Sequence, residues 1–276
     1  MGWHGTLTLR YLWRDAETLV RDRHDGPLRV LKSLHPEGRD VCHSVLVHPP
    51  GGMVGGDTLA IDLHLESGAH ALVTTAGATR FYRSTGAPAS QSLTVHAEAT
   101  SRFEWLPLES IAFNGCIGEN RARFSLDAGA EMIGWDVTAL GLPASDQPFA
   151  AGRFTQQLEL DGAWLERGTT RGDDARLLDS PLGWAGHRVL ATAWFAAGSA
   201  IAEPRRETLL AAARSVIGGH ALASSAGASA PHARAIVVRV LAPRVEPAMT
   251  LLVDLWRAWR PLAWNRAACL PRLWRT

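Results

Sequence analysis

Apolar residues recur at every second position over the first two thirds of the chain. Leu7, Leu9 and Tyr11 form one such series, Leu59, Ile61, Leu63 and Leu65 a second, and Leu93, Val95 and Ala97 a third. A period of two predicts half-buried β-strands, because successive side chains point to opposite faces of a strand. Phe154, Leu158 and Leu160 mark a less regular fourth member. LESGAHALV, LDAGAEMIG and LELDGAWLE align on Gly68, Gly129 and Gly162, and VHAEATSRFEWL supplies an equivalent point near Glu98. The intervals between these four points, 30, 31 and 33 residues, describe a unit of strand, short turn, strand and longer irregular return. Units of this length predict stacked supersecondary structure in which each unit leans on its neighbours; an ordinary β-sandwich remains the alternative.

Helical patterning is confined to the last third. ETLLAAARSVI, from Glu207, has helix-forming composition, with Pro204 upstream. Thr250 to Arg260 reads as the stronger helix, capped by Thr250, with Leu252, Leu255, Trp256 and Trp259 on one face and Pro261 as its stop. Residues 221–233, ALASSAGASAPHA, read as a flexible surface connection, and IVVRVL, from Ile236, as a return to strand. The fold class expected is therefore mainly β, with β-helix-like stacked strands and a few C-terminal helices. Residues 1–276 are expected to form one domain ending in an Arg/Trp-rich tail over 250–276.

Composition narrows the choices of function. A formal charge of +1 gives no electrostatic case for nucleic-acid binding. No apolar run reaches the length of a membrane span, and MGWHGTLTLR is not a basic-then-apolar leader. Three widely spaced cysteines, Cys42, Cys116 and Cys269, argue against a disulfide framework and for a reducing, cytoplasmic setting. The tail departs from the mean: from Asp254 onward five arginines face one acid, with Trp256, Trp259, Trp264 and Trp274 interleaved. Arg and Trp together are typical of interface centres, so Trp256 and Trp259 are expected to meet a partner.

The loop HPPGGMVGGD, residues 48–57, holds four glycines and two prolines and ends on Asp57. It lacks the Lys-Ser or Lys-Thr of a phosphate loop and does not match GxGxxG, so a structural turn is the plainer reading. GxSxG, HExxH and CxxC are all absent. Cys42 and His43 point to opposite faces of a strand and form no natural chelate, and His48 reads as a turn histidine. Glu104, Glu109, Asp136 and Asp57 lie in or beside apolar runs, where a carboxylate must be paired, hydrogen-bonded or hydrated. Ion pairs to Arg80 or Arg83, a hydrated acidic passage, or a carboxylate pair for glycoside hydrolysis would each satisfy them. Arg80, Phe81, Tyr82 and Arg83 form a basic-aromatic set which, without net positive charge, reads as a protein interface.

HPPGGMVGGD, TTAGATRFYRS, EWLPLESIAFNG, GWDVTALGLPAS and the Arg/Trp-rich tail, in that order, resemble the UreD (UreH) family of urease accessory proteins. The resemblance is dense over residues 5–150 and looser until the tail. It implies a non-enzymatic maturation factor with an extended β-helix-like fold. Its implied partners are the urease apoprotein, accessory protein UreF and, through UreF, the GTPase UreG. It further implies Ni²⁺ as transient cargo, with no tightly bound cofactor, delivered toward a dinuclear urease site. On that basis Asp57, Glu109 and Asp136 are expected to contact the passing ion, and Arg80, Tyr82 and Arg83 to contact partners. A purely structural adaptor and a carboxylate-dependent hydrolase are the competing functions.

Three departures from the family pattern stand out. Leu142 and Gln147 stand where the family commonly has Arg and Glu, so a charge pair is lost at both ends together. Asn114-Gly115-Cys116 replaces an acid followed by Gly-Ala, and Cys116 is then either a softer ion ligand or an inert buried thiol.

Overall fold

The computed structural model describes residues 2–275. Its strands are β1 (His4–Arg14), β2 (Glu17–Asp25), β3 (Arg29–Leu34), β4 (Val41–Val47), β5 (Thr58–Leu65), β6 (His70–Thr75), β7 (Thr79–Phe81), β8 (Ala89–Ala97) and β9 (Arg102–Trp105). They continue as β10 (Ser110–Ala112), β11 (Ile117–Leu126), β12 (Glu131–Leu140), β13 (Arg153–Leu160), β14 (Trp164–Arg171), β15 (Val189–Ala197), β16 (Ala226–His232) and β17 (Ala235–Ala242). The helices are α1 (Ala175–Asp179), α2 (Glu203–Gly218) and α3 (Val245–Trp264).

The strands form two facing sheets. One runs β14-β13-β11-β8-β5-β1-β2; the other runs β16-β17-β15-β12-β9-β6-β4-β3, with β7 and β10 added beside β12. Each repeat places one strand in the first sheet and the next in the second, so both sheets are parallel through their centres. In-register stacking then aligns like positions. Leu7, Ile61, Leu93, Ala122 and Leu158 make one inner rung of the first sheet, and Leu9, Leu63, Val95, Phe124 and Leu160 the next. All ten are buried, each large one contributing roughly 1.5–3 kcal/mol of transfer free energy. The β-solenoid-like stacking of strands expected from the repeat is what the chain forms.

The repeat has two unlike ends. At one end the strands are joined by tight turns, where Gly68, Gly129 and Gly162 all have positive φ. Thr100 takes the same left-handed conformation, φ 63°, so it and not Glu98 is the counterpart of those glycines. At the other end lie the four long returns. There Met53, Phe81, Ala112 and Leu140 pair in sequence as a short third ladder, all buried. The glycine loop, the basic-aromatic set, the acidic turn and the strand that holds Asp136 thus each contribute one rung to the same structural feature.

Helices α2 and α3 cover the outer face of the second sheet, and α3 buries Leu251, Leu252, Leu255, Trp256, Trp259 and Trp264 against it. Inside this contact lies a cluster of charge. Arg260, with no exposed surface, reaches Glu37 at 2.6 and 2.8 Å and Glu104 at 3.2 Å. Glu104 also accepts from Trp256 and, at 2.7 Å, pairs with His70; His43 pairs with Glu37 at 2.6 Å. Burial alone would raise the Glu37 carboxyl, but the His43 and Arg260 contacts outweigh it and hold it at about 2. Burial likewise opposes ionisation of Glu104, and His70 and Arg260 overcome it, so its pKa lies below the usual range.

Several local expectations are corrected. Residues 226–232 are not a flexible connection: they pair along β17, and Ala226, Ala228 and Ala230 pack toward the helices. Thr250 caps nothing, because α3 starts at Val245 and the Thr250 hydroxyl bonds back to the Glu246 carbonyl. Pro261 lies within α3, which runs on to Trp264 because packing outweighs the one amide that proline lacks. Leu142 and Gln147 do face each other, through backbone bonds of 2.7 and 3.2 Å.

A β-branched residue in a left-handed turn is strained. Thr100→Gly should therefore raise stability by about 1 kcal/mol in urea unfolding; a loss would mean the Thr100 side chain makes a compensating contact. Arg260→Met, which takes the guanidinium from two buried carboxylates and leaves them only imidazole and indole partners, should cost about 3–5 kcal/mol in the same measurement.

Candidate functional site

Between the two sheets, at the end carrying the long returns, lies a cavity of about 230 Å³. Its inner wall is largely apolar, with Ile61 and Leu93 from the first sheet and Trp105 from the second. Its outer part is bounded by the glycine loop, through Pro49, Gly51 and Gly52, and by residues 76–80. Tyr82 packs so closely that a Cβ on Gly52 would stand 2.3 Å from its ring, which explains a glycine there.

One polar rung interrupts the apolar ladder at this level. Gln91, Asn120 and Gln156 are register neighbours on the inward face of β8, β11 and β13. Gln91 donates to the Asn120 carbonyl oxygen at 3.3 Å, and Asn120 donates to Asp136 Oδ2 at 2.9 Å. Gln156 donates to the other Asp136 oxygen and lies 3.4 Å from the Thr138 hydroxyl. Asp136 is buried with amide partners and no cation, and desolvation, only partly offset by those amides, pushes its carboxyl up to about 6. Beyond Gln156 and Thr138 lies a second cavity of about 180 Å³ that includes Glu166. The Asp136–Gln156 contact is therefore the partition between two spaces. His48 lines the outer cavity, and its pKa is lowered by desolvation, which favours the neutral imidazole.

The other candidate acids are placed differently. Asp57 is buried and accepts from the backbone amides of Trp3 at 2.7 Å and Val54 at 2.8 Å, so it closes the glycine loop and does not line the cavity. Glu109 is half-buried on the return between β9 and β10, and its carbonyl accepts from the Thr79 amide at 2.9 Å. Glu104 faces the helices on the opposite side of the second sheet. Asp57 and Asp136 are satisfied by amides, and Glu104 by His70, Trp256 and Arg260, not by ion pairs from Arg80 or Arg83. Among the described residues no three His, Cys, Asp or Glu side chains converge as a metal site. Cys116 is buried and its thiol is pushed up to about 12 by desolvation, the condition of an inert thiol.

The profile of the UreD urease accessory protein family matches residues 4–275. The chain is 57% identical to urease accessory protein UreD of Leptothrix cholodnii, covering all of both chains. It is 56% identical to UreD of Albidiferax ferrireducens and 57% identical to UreD of Paracidovorax citrulli, over 99% of each chain. The chain belongs to the UreD family of urease accessory proteins. As a UreD-family protein it serves urease maturation and is not itself an enzyme.

Two features expected to mark a UreD partner surface lie inside the molecule. Trp256 and Trp259 have no exposure: Trp256 donates to Glu104 and Trp259 to the Leu209 carbonyl. Their helix face is turned inward because the second sheet offers an apolar outer surface that must be covered, so this corrects the expectation of a tail interface. Arg80 and Arg83 are exposed, and Tyr82 is half-buried against Phe113. Sequence reading missed Gln91, Asn120 and Gln156. The available signal was a polar residue at an inward position of each alternation, as in Gly118-x-Asn120-x-Ala122-x-Phe124.

A carboxyl whose folded pKa is about 6, against an ordinary 3.8, costs stability once pH rises above the ordinary value, and the full cost is reached above the folded one. Asp136→Asn should therefore be more stable than the parent by about 3 kcal/mol near pH 7.5, the difference vanishing below about pH 4. Denaturant unfolding across that range measures it, and a pH-independent difference would contradict the assignment.

Proposed function

We propose that this UreD-family chain scaffolds the accessory assembly on apo-urease and assists Ni²⁺ delivery through the space between its sheets. Its partners on this reading are the urease apoprotein, UreF and, through UreF, UreG, in a cytoplasmic setting. The observation that carries the reading is the polar rung ending on Asp136, which stands between two cavities inside an otherwise apolar layer. A passing ion needs contacts that also release it. Isolated carboxylate and carboxamide oxygens bind a borderline metal more weakly than a Cys/His cage, which suits transit.

In this assignment Asp136 is the inner contact, His48 offers a neutral imidazole in the outer cavity, and Glu166 lies beyond the partition. Glu109 stands on a neighbouring return. Asp57 acts at one remove, by holding the glycine loop in shape. Arg80, Tyr82 and Arg83 belong to the outer, partner-facing end. The hydrolase alternative needs two convergent carboxylates, and Asp136 has amides as its direct partners.

Co-expression with urease and its accessory proteins tests the assignment. Asp136→Asn should lower urease activation while the chain still co-purifies with UreF, and Asp62→Asn, on the exposed face of β5, should leave activation unchanged. Because Asp136→Asn is expected to stabilise the fold, lost activation would not be a folding defect. Full activation by Asp136→Asn would leave the protein as a structural adaptor.

A further inference from the structure

Arg80 occupies a particular place at the outer end of the cavity. It rises from β7 on one lip, and its Nη1 donates to the Gly51 carbonyl on the other at 3.3 Å. Its stem lies on the glycine loop, where a Cβ added to Gly52 would come within 3.0 Å of the Arg80 Cβ. Arg80 is exposed and lines the cavity, and among the described residues no ion pair within 4.0 Å is recorded for it, or for Arg29 and Arg83 at the same end of the strands. A carboxylate near this loop, Asp57, is already engaged by two amides. A divalent cation entering here must pass a guanidinium whose charge no acid at the lip neutralises.

Around this lip the surface is apolar and rigidly held. Trp3 is 63% and Val54 48% exposed, yet the backbones of both are pinned through the Asp57 carboxylate. Met53 also ties the loop to β7, donating its amide to the Arg80 carbonyl at 2.7 Å and accepting from the Tyr82 amide at 2.8 Å. An exposed tryptophan, a small apolar side chain and unpaired arginines make the chemistry of a protein-docking centre. The complementary segment carries a carboxylate flanked by apolar residues. A single 3.3 Å bond to a neutral carbonyl is weaker than the charge-assisted, bidentate bond a carboxylate offers a guanidinium.

Resting on the reading of the cavity as an ion passage, we propose that Arg80 closes its mouth to free divalent cations. A protein segment that docks over Trp3 and Val54 opens it, by drawing the guanidinium onto its own carboxylate. Ion entry is thereby coupled to partner docking, and the isolated chain is protected from indiscriminate loading.

Time-resolved uptake of radioactive nickel chloride by the purified chain at low salt, with free ion removed by rapid gel filtration, tests the closure. Arg80→Gln should load about tenfold more readily than the parent, since a repelling charge is removed, and Asp136→Asn in the same chain should abolish the gain. Loading unchanged by Arg80→Gln overturns the closure. A gain that survives Asp136→Asn overturns the passage reading instead, so the two failures are distinguishable. Co-purification with co-expressed urease accessory partners at rising salt tests the opening. Binding should weaken steeply with salt in the parent, and the Arg80→Gln, Arg83→Gln double variant should show a flattened dependence. An unchanged slope in that variant removes the carboxylate partner.

Discussion

The ion cluster centred on Arg260 is the constraint on which the C-terminal half of the structure depends. A guanidinium with no exposure cannot remain charged without partners, and Glu37 and Glu104 supply them from two separate segments of the solenoid. Buried ion pairs are not strong sources of net stability, since desolvation cancels much of the attraction. Their effect is specificity: helix α3 has one position and one rotation that satisfy all of these groups. The registry of α3 in turn covers the apolar outer face of β12, β15 and β17.

The same sheet carries polar groups on both faces, and the two sets are solved in opposite ways. On the helix side Glu37 and Glu104 have cation and N–H partners, and both are held below their usual range. On the inner side Asp136 has only neutral amides, and its pKa rises. The first arrangement is saturated and rigid. The second leaves a carboxyl that exchanges a proton near neutral pH beside open volume, which costs stability and is the condition a transient ligand needs. The placement of a cation-paired acid cluster and a single acid with only neutral amide partners on opposite sides of one strand layer separates scaffold from passage.

The repeat explains why function gathers at one end. Tight glycine turns leave no room for variation, whereas the long returns carry the glycine loop, Arg80 and Glu109 and lead into the strands that hold Asp136. Those returns are fixed to one another by the short ladder through Met53, Phe81, Ala112 and Leu140. Loops normally mobile are thus held as a rigid rim around the cavity.

Much of the fold was legible because it is written in short-range patterns. Alternation of Leu and Val gave the strands, and the spacing of Gly68, Gly129 and Gly162 gave the stacked units, since strand period and turn dihedrals are local properties. The family motifs marked the returns for the same reason. What depended on tertiary structure was which groups meet across long separations. Nothing local says that Arg260 will find Glu37 and Glu104, or that Trp256 and Trp259 will face inward instead of toward a partner. An amphipathic helix shows only that one face must be covered, not by what. The site was half-readable: Asp136 stood out as an acid in an apolar strand, while Gln91, Asn120 and Gln156 became one rung only when three strands far apart in the chain were brought into register. The sequence by itself determined the elements and their repeat; the tertiary structure decided the partners of every buried charge, because desolvation is settled by neighbours and not by spacing.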